Sequence, residues 1–322
     1  MPSMMDRMET AHLCIDTCLG VKEGEKVLVI VDQEHIPWGE ALAAAAAIKG
    51  ATPAIALIPE PRPYQKEPND MIVAAMNAAD VAIAALSDLA INQFVHTKAR
   101  KDALARGVRF GNFMAPEPGE RVTAKELLET KARADRLAVR LTAAKRARVT
   151  TALGTDVTMS LEGRKGYGIA SICTEKGLWA SMPNFSESAV SPLEGTAEGL
   201  AVIDGMVNWI GFVREPIRLT MEKGVVAKVS GGADAERLKA IWDQADDNAA
   251  NVAELGIGTV PNERPRGNNQ DKRLIGTAHF GIGDNYSLGG TVRSKMHLDA
   301  LMYGATVELD GEAVVKDGKF LA

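Results

Sequence analysis

The continuous apolar run Val27-Leu-Val-Ile-Val31 constrains the fold of this chain more than any other stretch. With no polar residue on either face, it suits a strand covered on both sides, as parallel sheets require. The same unit then recurs. Met4 to Leu19 reads as a helix stopped by Gly20, and Trp38 to Lys49 as an alanine-rich helix stopped by Gly50. Strands over Pro53–Ile58, Asp80–Leu86 and Val108–Phe113 alternate with helices over Asp70–Ala78 and Thr97–Arg106. This alternation predicts a doubly wound, mainly parallel sheet. No G-x-G-x-x-G follows the first strand, so no dinucleotide is expected there.

A chain of 322 residues exceeds one typical core, and two domains are expected. Thr123 to Lys145 reads as a long helix of alternating charge, suited to bridge them. Beyond Arg148 the texture turns to β-rich alternation around Gly154-Thr155, and helical signal returns over Ala233–Ala253. The boundary is placed near residue 147, giving a Rossmann-like α/β domain (1–147) and an α+β metal-binding domain (148–322). A net charge of −5 leaves no basic footprint for nucleic acid. The most apolar stretch, Ala41–Ile58, is broken by Lys49-Gly50 and Pro53, so no membrane span is expected. The start of the chain lacks an apolar signal core. Cys14, Cys18 and Cys173 form no C-x-x-C, the first two sharing one helix face as small hydrophobes, and a reducing, cytoplasmic compartment is expected.

The chemistry gathers in the last third. In a strand, residues i and i+2 share a face. In Gly276-Thr-Ala-His279-Phe-Gly-Ile-Gly283, His279, Gly281 and Gly283 then point one way, Phe280 and Ile282 the other. Glu254-Leu-Gly-Ile-Gly258 repeats the pattern with a carboxylate, and His297-Leu-Asp299 puts imidazole and carboxylate on one face. Glycines beside such donors leave room for an ion and for something bound to it. Mixed imidazole and carboxylate donors suit Zn, Mn, Co or Fe(II). Pro183 to Pro192 reads as a polar, turn-rich segment in which Glu187, taken alone, is a solvated acid. His96 falls between the third strand and the next helix, where it could be an acid/base group or could order the helix N-terminus.

These motifs resemble the M29 aminopeptidase family, in its short leucyl-aminopeptidase-like branch. The likeness rests on Glu187 with a proline five residues on, Ala253-Glu-Leu-Gly-Ile-Gly258, Gly276-Thr-Ala-His-Phe-Gly-Ile-Gly283 and His297-Leu-Asp299, and it spans nearly the whole chain. It implies a two-domain, metal-dependent hydrolase, dimeric or of higher order, acting on a peptide or small-molecule substrate. One or two divalent ions would be held by Glu187, Glu254, His279, His297 and Asp299, with Tyr286 beside the reaction centre. The aminopeptidases carry a further glutamate where this chain has Leu274. The chain is also similar to the 2,5-dihydroxypyridine 5,6-dioxygenases, mononuclear Fe(II) ring-cleaving enzymes. Their iron ligands fall at Glu254 (a histidine in those enzymes), His297 and Asp299, and a catalytic histidine at His96.

The expectation from these likenesses is a metallohydrolase that cleaves an N-terminal peptide bond or a small amide without dioxygen. The ion would polarise the carbonyl and activate water, with Glu187 or Glu254 taking the proton and Tyr286 or His96 serving the oxyanion or leaving nitrogen. Its rival is an Fe(II) oxygenase that opens an aromatic ring.

Overall fold

The computed structural model describes residues 2–58, 67–87, 94–95, 97–116, 119–261 and 264–322. Alternate residues of β1 (Lys26–Val31) bury on opposite faces. Val27, Val29 and Val31 join a core with Ile15 and with Ala41, Leu42 and Ala45 of α2 (Ile36–Ile48). Leu28 and Ile30 join a separate core with Ile72 and Met76 of α3 (Asp70–Ala78) and Ala103 of α4 (Lys98–Ala105). Helices therefore cover both faces, as the apolar run requires. α2 sits close on the sheet because Gly39 has no side chain: a Cβ there would lie 2.5 Å from Val31 Cγ1.

β1, β2 (Thr52–Leu57), β3 (Val81–Ala85), β4 (Arg109–Phe113) and β8 (Trp179–Met182) form a five-stranded parallel sheet in the order β2-β1-β3-β4-β8. The first helix differs in detail from its expected form. α1 (Met4–Leu13) is α-helical, but Cys14–Cys18 forms a π-turn before Gly20, whose φ of 55° ends the element. Among the described residues, no helix is long and apolar enough to cross a membrane.

The chain divides into two compact units, Met1–Lys131 with Ala170–Phe185, and Ala132–Ile169 with Ser186–Ala322. The division is not a single cut near residue 147. It falls inside α5 (Ala124–Ala143), and the chain later returns to add β8 to the parallel sheet.

The second unit carries two sheets. One is eight-stranded and antiparallel, ordered β14-β13-β10-β6-β5-β18-β19-β20. It comprises β5 (Arg146–Thr150), β6 (Asp156–Ser160), β10 (Glu198–Ile203), β13 (Ile217–Glu222), β14 (Val225–Ser230), β18 (Thr306–Leu309), β19 (Glu312–Lys316) and β20 (Lys319–Phe320). The other is seven-stranded, ordered β12-β11-β17-β16-β15-β9-β7. Its strands are β7 (Gly166–Ala170), β9 (Ser186–Val190), β11 (Met206–Val207), β12 (Gly211–Phe212), β15 (Val252–Gly258), β16 (Ala278–Gly283) and β17 (His297–Met302). Leu255, Ile257, Phe280, Ile282 and Leu298 of this sheet share a core with Val149, Val157 and Leu219 of the other.

Two local expectations are corrected. The helix expected over Ala233–Ala253 ends at Trp242 (α6, Ala233–Trp242), and turns fill the interval to β15. In that interval the Asp246 carboxylate accepts the N–H groups of the neighbouring Asn248 and of the distant Lys295, so the backbone there is bonded outside a helix. The segment expected to be turn-rich around Glu187 contains β9, all of it buried, because Ser186 and Ser188 place their hydroxyls on Thr259 and on the Ala134 carbonyl.

Candidate metal centre

The outer face of the seven-stranded sheet is built as a checkerboard of donors and glycines. Cross-strand partners share a face, and each of the expected ligands is paired with a glycine. Glu187 stands opposite Gly258, Glu254 and Asp299 opposite Gly281, His279 opposite Gly256, and His297 opposite Gly283. The glycines are required, not incidental. A Cβ on Gly256 would lie 2.0 Å from His279 Cε1, and one on Gly281 would lie 2.9 Å from His297 Nε2. The intervening residues of the same strands supply the anchor. Leu255, Ile257, Phe280, Ile282 and Leu298 are wholly buried, and each contributes about 1.5–3 kcal/mol. That burial offsets the several kcal/mol that each buried charge costs.

Glu187, Glu254, His279, His297 and Asp299 are all buried and converge on one point. His279 Nε2 lies 3.6 Å from Glu254 Oε1, 3.8 Å from Glu187 Oε2 and 4.0 Å from Asp299 Oδ1. His297 Nε2 lies 3.1 Å from Glu254 Oε2 and 3.3 Å from Asp299 Oδ1. Both ring nitrogens of His279, Glu187 Oε2 and Asp299 Oδ1 are buried without a hydrogen bond. Several of these spacings are too long for hydrogen bonds. All five lie below about 4.4 Å, the largest separation of two atoms that each sit about 2.2 Å from one ion. Two overlapping groups, Glu187/Glu254/His279 and Glu254/His297/Asp299, bring their donor atoms within 4.8 Å of one another. With hydrogen-bond-free donors, bare glycines and an imidazole–carboxylate set, the residues fit a divalent ion.

His297 is oriented from behind. Its Nδ1 lies 2.7 Å from the Asp284 carbonyl oxygen. A carbonyl only accepts, so Nδ1 carries a hydrogen and Nε2 is the nitrogen that faces the carboxylates. Asp299 is fixed through its backbone, its N–H donating to Asn208 Oδ1 at 2.6 Å.

Lys272 completes the cluster, and sequence reasoning missed it. Its Nζ donates to Asp299 Oδ2 at 2.8 Å and lies 3.8 Å from Glu187 Oε1. It rides on a 3₁₀ turn (Asn269–Arg273) held by the adjacent Asp271, whose carboxylate accepts the N–H groups of Arg266 and Gly267 and the Tyr303 hydroxyl. Nothing in Asp271-Lys272-Arg273 distinguishes this lysine from a solvated one; its nearness to His279 in the chain was the one available hint.

Tyr286, also expected at the site, is not one of the residues of the two donor groups. Tyr286 sits in a 3₁₀ turn after β16, 39% exposed, with the Arg293 guanidinium 3.5 Å from its ring centre and its N–H on Asp284. His96 lies outside the described residues.

The electrostatics follow from burial and pairing. Burial works to lower the His297 pKa, but the Asp299 and Glu254 carboxylates prevail and hold it well above its ordinary value. His279 is also raised, its burial outweighed by Glu254, Glu187 and Asp299. Burial pushes Glu187 up to about 7 against the pull of Lys272 and His279. For Lys272, burial is outweighed by Asp299, Glu187 and Glu254, and its pKa is raised. Both imidazoles are thus biased towards the protonated form in the metal-free protein, and an ion must displace those protons. Metal uptake near neutrality should therefore release at least one proton per ion. Affinity should rise with pH until both rings are neutral without metal. Titration calorimetry in two buffers of different ionisation enthalpy measures the release; none at all would contradict the protonated cluster.

Comparison with known proteins then bears on the chemistry. The family model for 2,5-dihydroxypyridine 5,6-dioxygenase matches residues 12–322. A 2,5-dihydroxypyridine 5,6-dioxygenase from Pseudomonas putida is 27% identical over 265 residues, covering 77% of this chain and 73% of the relative. The solved 2,5-dihydroxypyridine dioxygenase from Pseudomonas putida superposes with a TM-score of 0.80 at 22% identity, over 99% of this chain and 98% of that one. Wild-type AmpT from Thermus thermophilus superposes with a TM-score of 0.69 at 17% identity, over 99% of this chain and 100% of that one. The expectation of a metallohydrolase of the aminopeptidase type is overturned by the family match and the curated relative, both of which carry the dioxygenase name. The AmpT likeness is one of fold.

Proposed function

The chain belongs to the 2,5-dihydroxypyridine 5,6-dioxygenase family, and from that membership we propose that it is a non-haem Fe(II) dioxygenase that opens the ring of a hydroxylated pyridine. The observation that carries this reading is the family match over residues 12–322, and the buried Glu254, His297 and Asp299 group, with donor atoms within 4.8 Å of one another on one sheet face, is where the iron would be held. His279 brings a second imidazole to that face, so two histidines and a carboxylate are at hand for a non-haem iron. Fe(II) bound there would supply the activation of dioxygen and an open position for a ring hydroxyl. The residues around it hold and orient. Glu254 and Asp299 supply negative charge, and the Asp284 carbonyl fixes the His297 ring. Glu187, buried on the same face, is placed to accept a proton from the ring hydroxyl and return it. Tyr286, whose N–H is held by the same Asp284 that orients His297, is assigned to the rim of the site. His96, outside the described residues, remains a candidate acid/base group.

Protein stripped of metal, reloaded with Fe(II) under nitrogen and mixed with 2,5-dihydroxypyridine should show no loss of ring absorbance. Admission of air should start turnover with one O₂ consumed per ring opened, and Zn-loaded protein should stay silent in both conditions. Turnover under nitrogen with any metal would defeat the oxygenase reading.

A further inference from the structure

We propose that Arg100 is the receptor for a small-molecule carboxylate, and that the first unit carries a binding site for a hydroxylated monocarboxylic acid. Arg100 stands in the first turn of α4 and is 3% exposed. Its Nε and Nη1 are buried without a hydrogen-bond partner, and among the described residues no carboxylate pairs with the guanidinium. It lies instead on the face of Trp179 in β8, with Cζ 4.3 Å from the ring centre. Burial accordingly pulls its pKa down to about 9.

A structural role does not account for this placement. A ring face offsets only part of the cost of burying an ion, and an unpaired buried charge destabilises the fold that holds it. Water would meet the N–H groups but leave the charge unpaired. What completes the guanidinium is a monoanion with two acceptor oxygens, which a carboxylate presents in the geometry of the fork. A phosphate dianion would leave one negative charge over. Trp179 packs against the cluster that holds Phe94, Ala103 and Phe110, so the body of the acid is apolar.

A second unmet group lies on the same sheet face. Phe110 and Asn112 of β4 stand in register with Trp179 and Ser181 of β8, and residues i and i+2 share a face. Asn112 Nδ2 donates to Ser181 Oγ at 3.4 Å, while Asn112 Oδ1 is buried with no donor. This pair is one pleat, about 6.6 Å, further along the strands than Trp179. The unmet groups are complementary, donors on Arg100 and an acceptor on Asn112, and an acid that also carries a hydroxyl meets both. Asn112 and Ser181 are the penultimate residues of their strands, at the carboxyl ends where open α/β sheets place their ligand crevices.

The test uses full-length, Zn-loaded protein and 4-hydroxybenzoate as the probe. Wild type should bind one molecule per chain by calorimetry, shift the Arg100 Nε–H resonance (assigned by its loss in Arg100→Met) and melt at a higher temperature as the probe is added. Arg100→Met should bind at least about tenfold more weakly. Without the probe it should melt no lower than wild type, because it removes an unpaired charge. Phenol, which lacks the carboxylate, should not bind, and benzoate, which lacks the hydroxyl, should bind more weakly than 4-hydroxybenzoate. A wild type that does not bind at millimolar probe would overturn the proposal, as would wild-type affinity in Arg100→Met, the mark of a carboxylate held elsewhere. An Arg100→Met protein that melts well below wild type or does not fold would reveal a structural strut and overturn it too. Arg100→Lys keeps the charge and loses the fork, so it should fold and bind more weakly than wild type; undiminished affinity there would refute the fork. Equal affinity for benzoate would strike Asn112 and the hydroxyl from the site.

Discussion

Alanine at position 297 should give a folded protein that keeps no metal through purification and opens no ring. His297 is the donor whose geometry is most fully fixed, with Nδ1 on the Asp284 carbonyl and Nε2 between Glu254 Oε2 and Asp299 Oδ1. Removing a mere hydrogen-bond partner of a ligand costs about 10–100-fold in metal affinity, and removing the ligand itself should exceed that range. The variant also leaves the buried Glu254 without its nearest cationic partner, which costs about 3–5 kcal/mol, while Asp299 keeps Lys272 at 2.8 Å. Part of that cost is recovered as a carboxylate protonates and water enters the vacated space. The apolar faces of β15, β16 and β17 are untouched, so the sheet persists. Elemental analysis beside a thermal melt checks both halves, and a well-folded His297→Ala protein with full metal occupancy would remove the central claim.

Gly256→Ala should come close to the same loss while altering no donor. The added Cβ would stand 2.0 Å from His279 Cε1 and 2.2 Å from Nε2, well inside contact distance. His279 is wholly buried, so its ring cannot simply tilt into solvent. Either the imidazole leaves its position or β15 and β16 part, and overpacking of this kind costs about 1–3 kcal/mol. With Co(II) as a coloured stand-in, the visible spectrum of the variant should lose the signature of the native donor set, and its affinity should fall by at least an order of magnitude. A native spectrum at native affinity would show that the glycine checkerboard is not what clears the space.

Much of the donor set was legible in the chain because strands write their faces with period two. Glu254, His279, His297 and Asp299 could be placed on one face from Glu-x-Gly-x-Gly, His-x-Gly-x-Gly and His-x-Asp, and the buried Leu255, Phe280 and Leu298 agree with that placement. The parallel sheet was legible for the same kind of reason, through Val27–Val31 and the helices that follow. Three features were not. β8 belongs to the parallel sheet by a pairing with β4 that no local pattern announces. Glu187 resembles a loop acid because serines flank it, and only their bonds to Thr259 and Ala134 reveal a buried strand. Lys272 acquires its role from Asp299 and Glu187, both remote in sequence. Nor do the donor types alone separate hydrolysis from oxygenation, since imidazole and carboxylate serve both. The family match carried that decision.

The arrangement of donors across β9, β15, β16 and β17 has a consequence for how the molecule comes into being. No two of these strands are joined by a tight hairpin, and the interval between β9 and β15 holds five other strands and α6. Closing such loops carries its entropic cost before any reward arrives. The Glu254, His297 and Asp299 group is complete only once β15 and β17 stand on either side of β16. Before an ion is held there, Lys272 and the imidazoles are what stand against the three carboxylates. Metal then arrives as a late clamp, one that slows the opening of a finished structure and leaves the speed of its formation to the polypeptide alone.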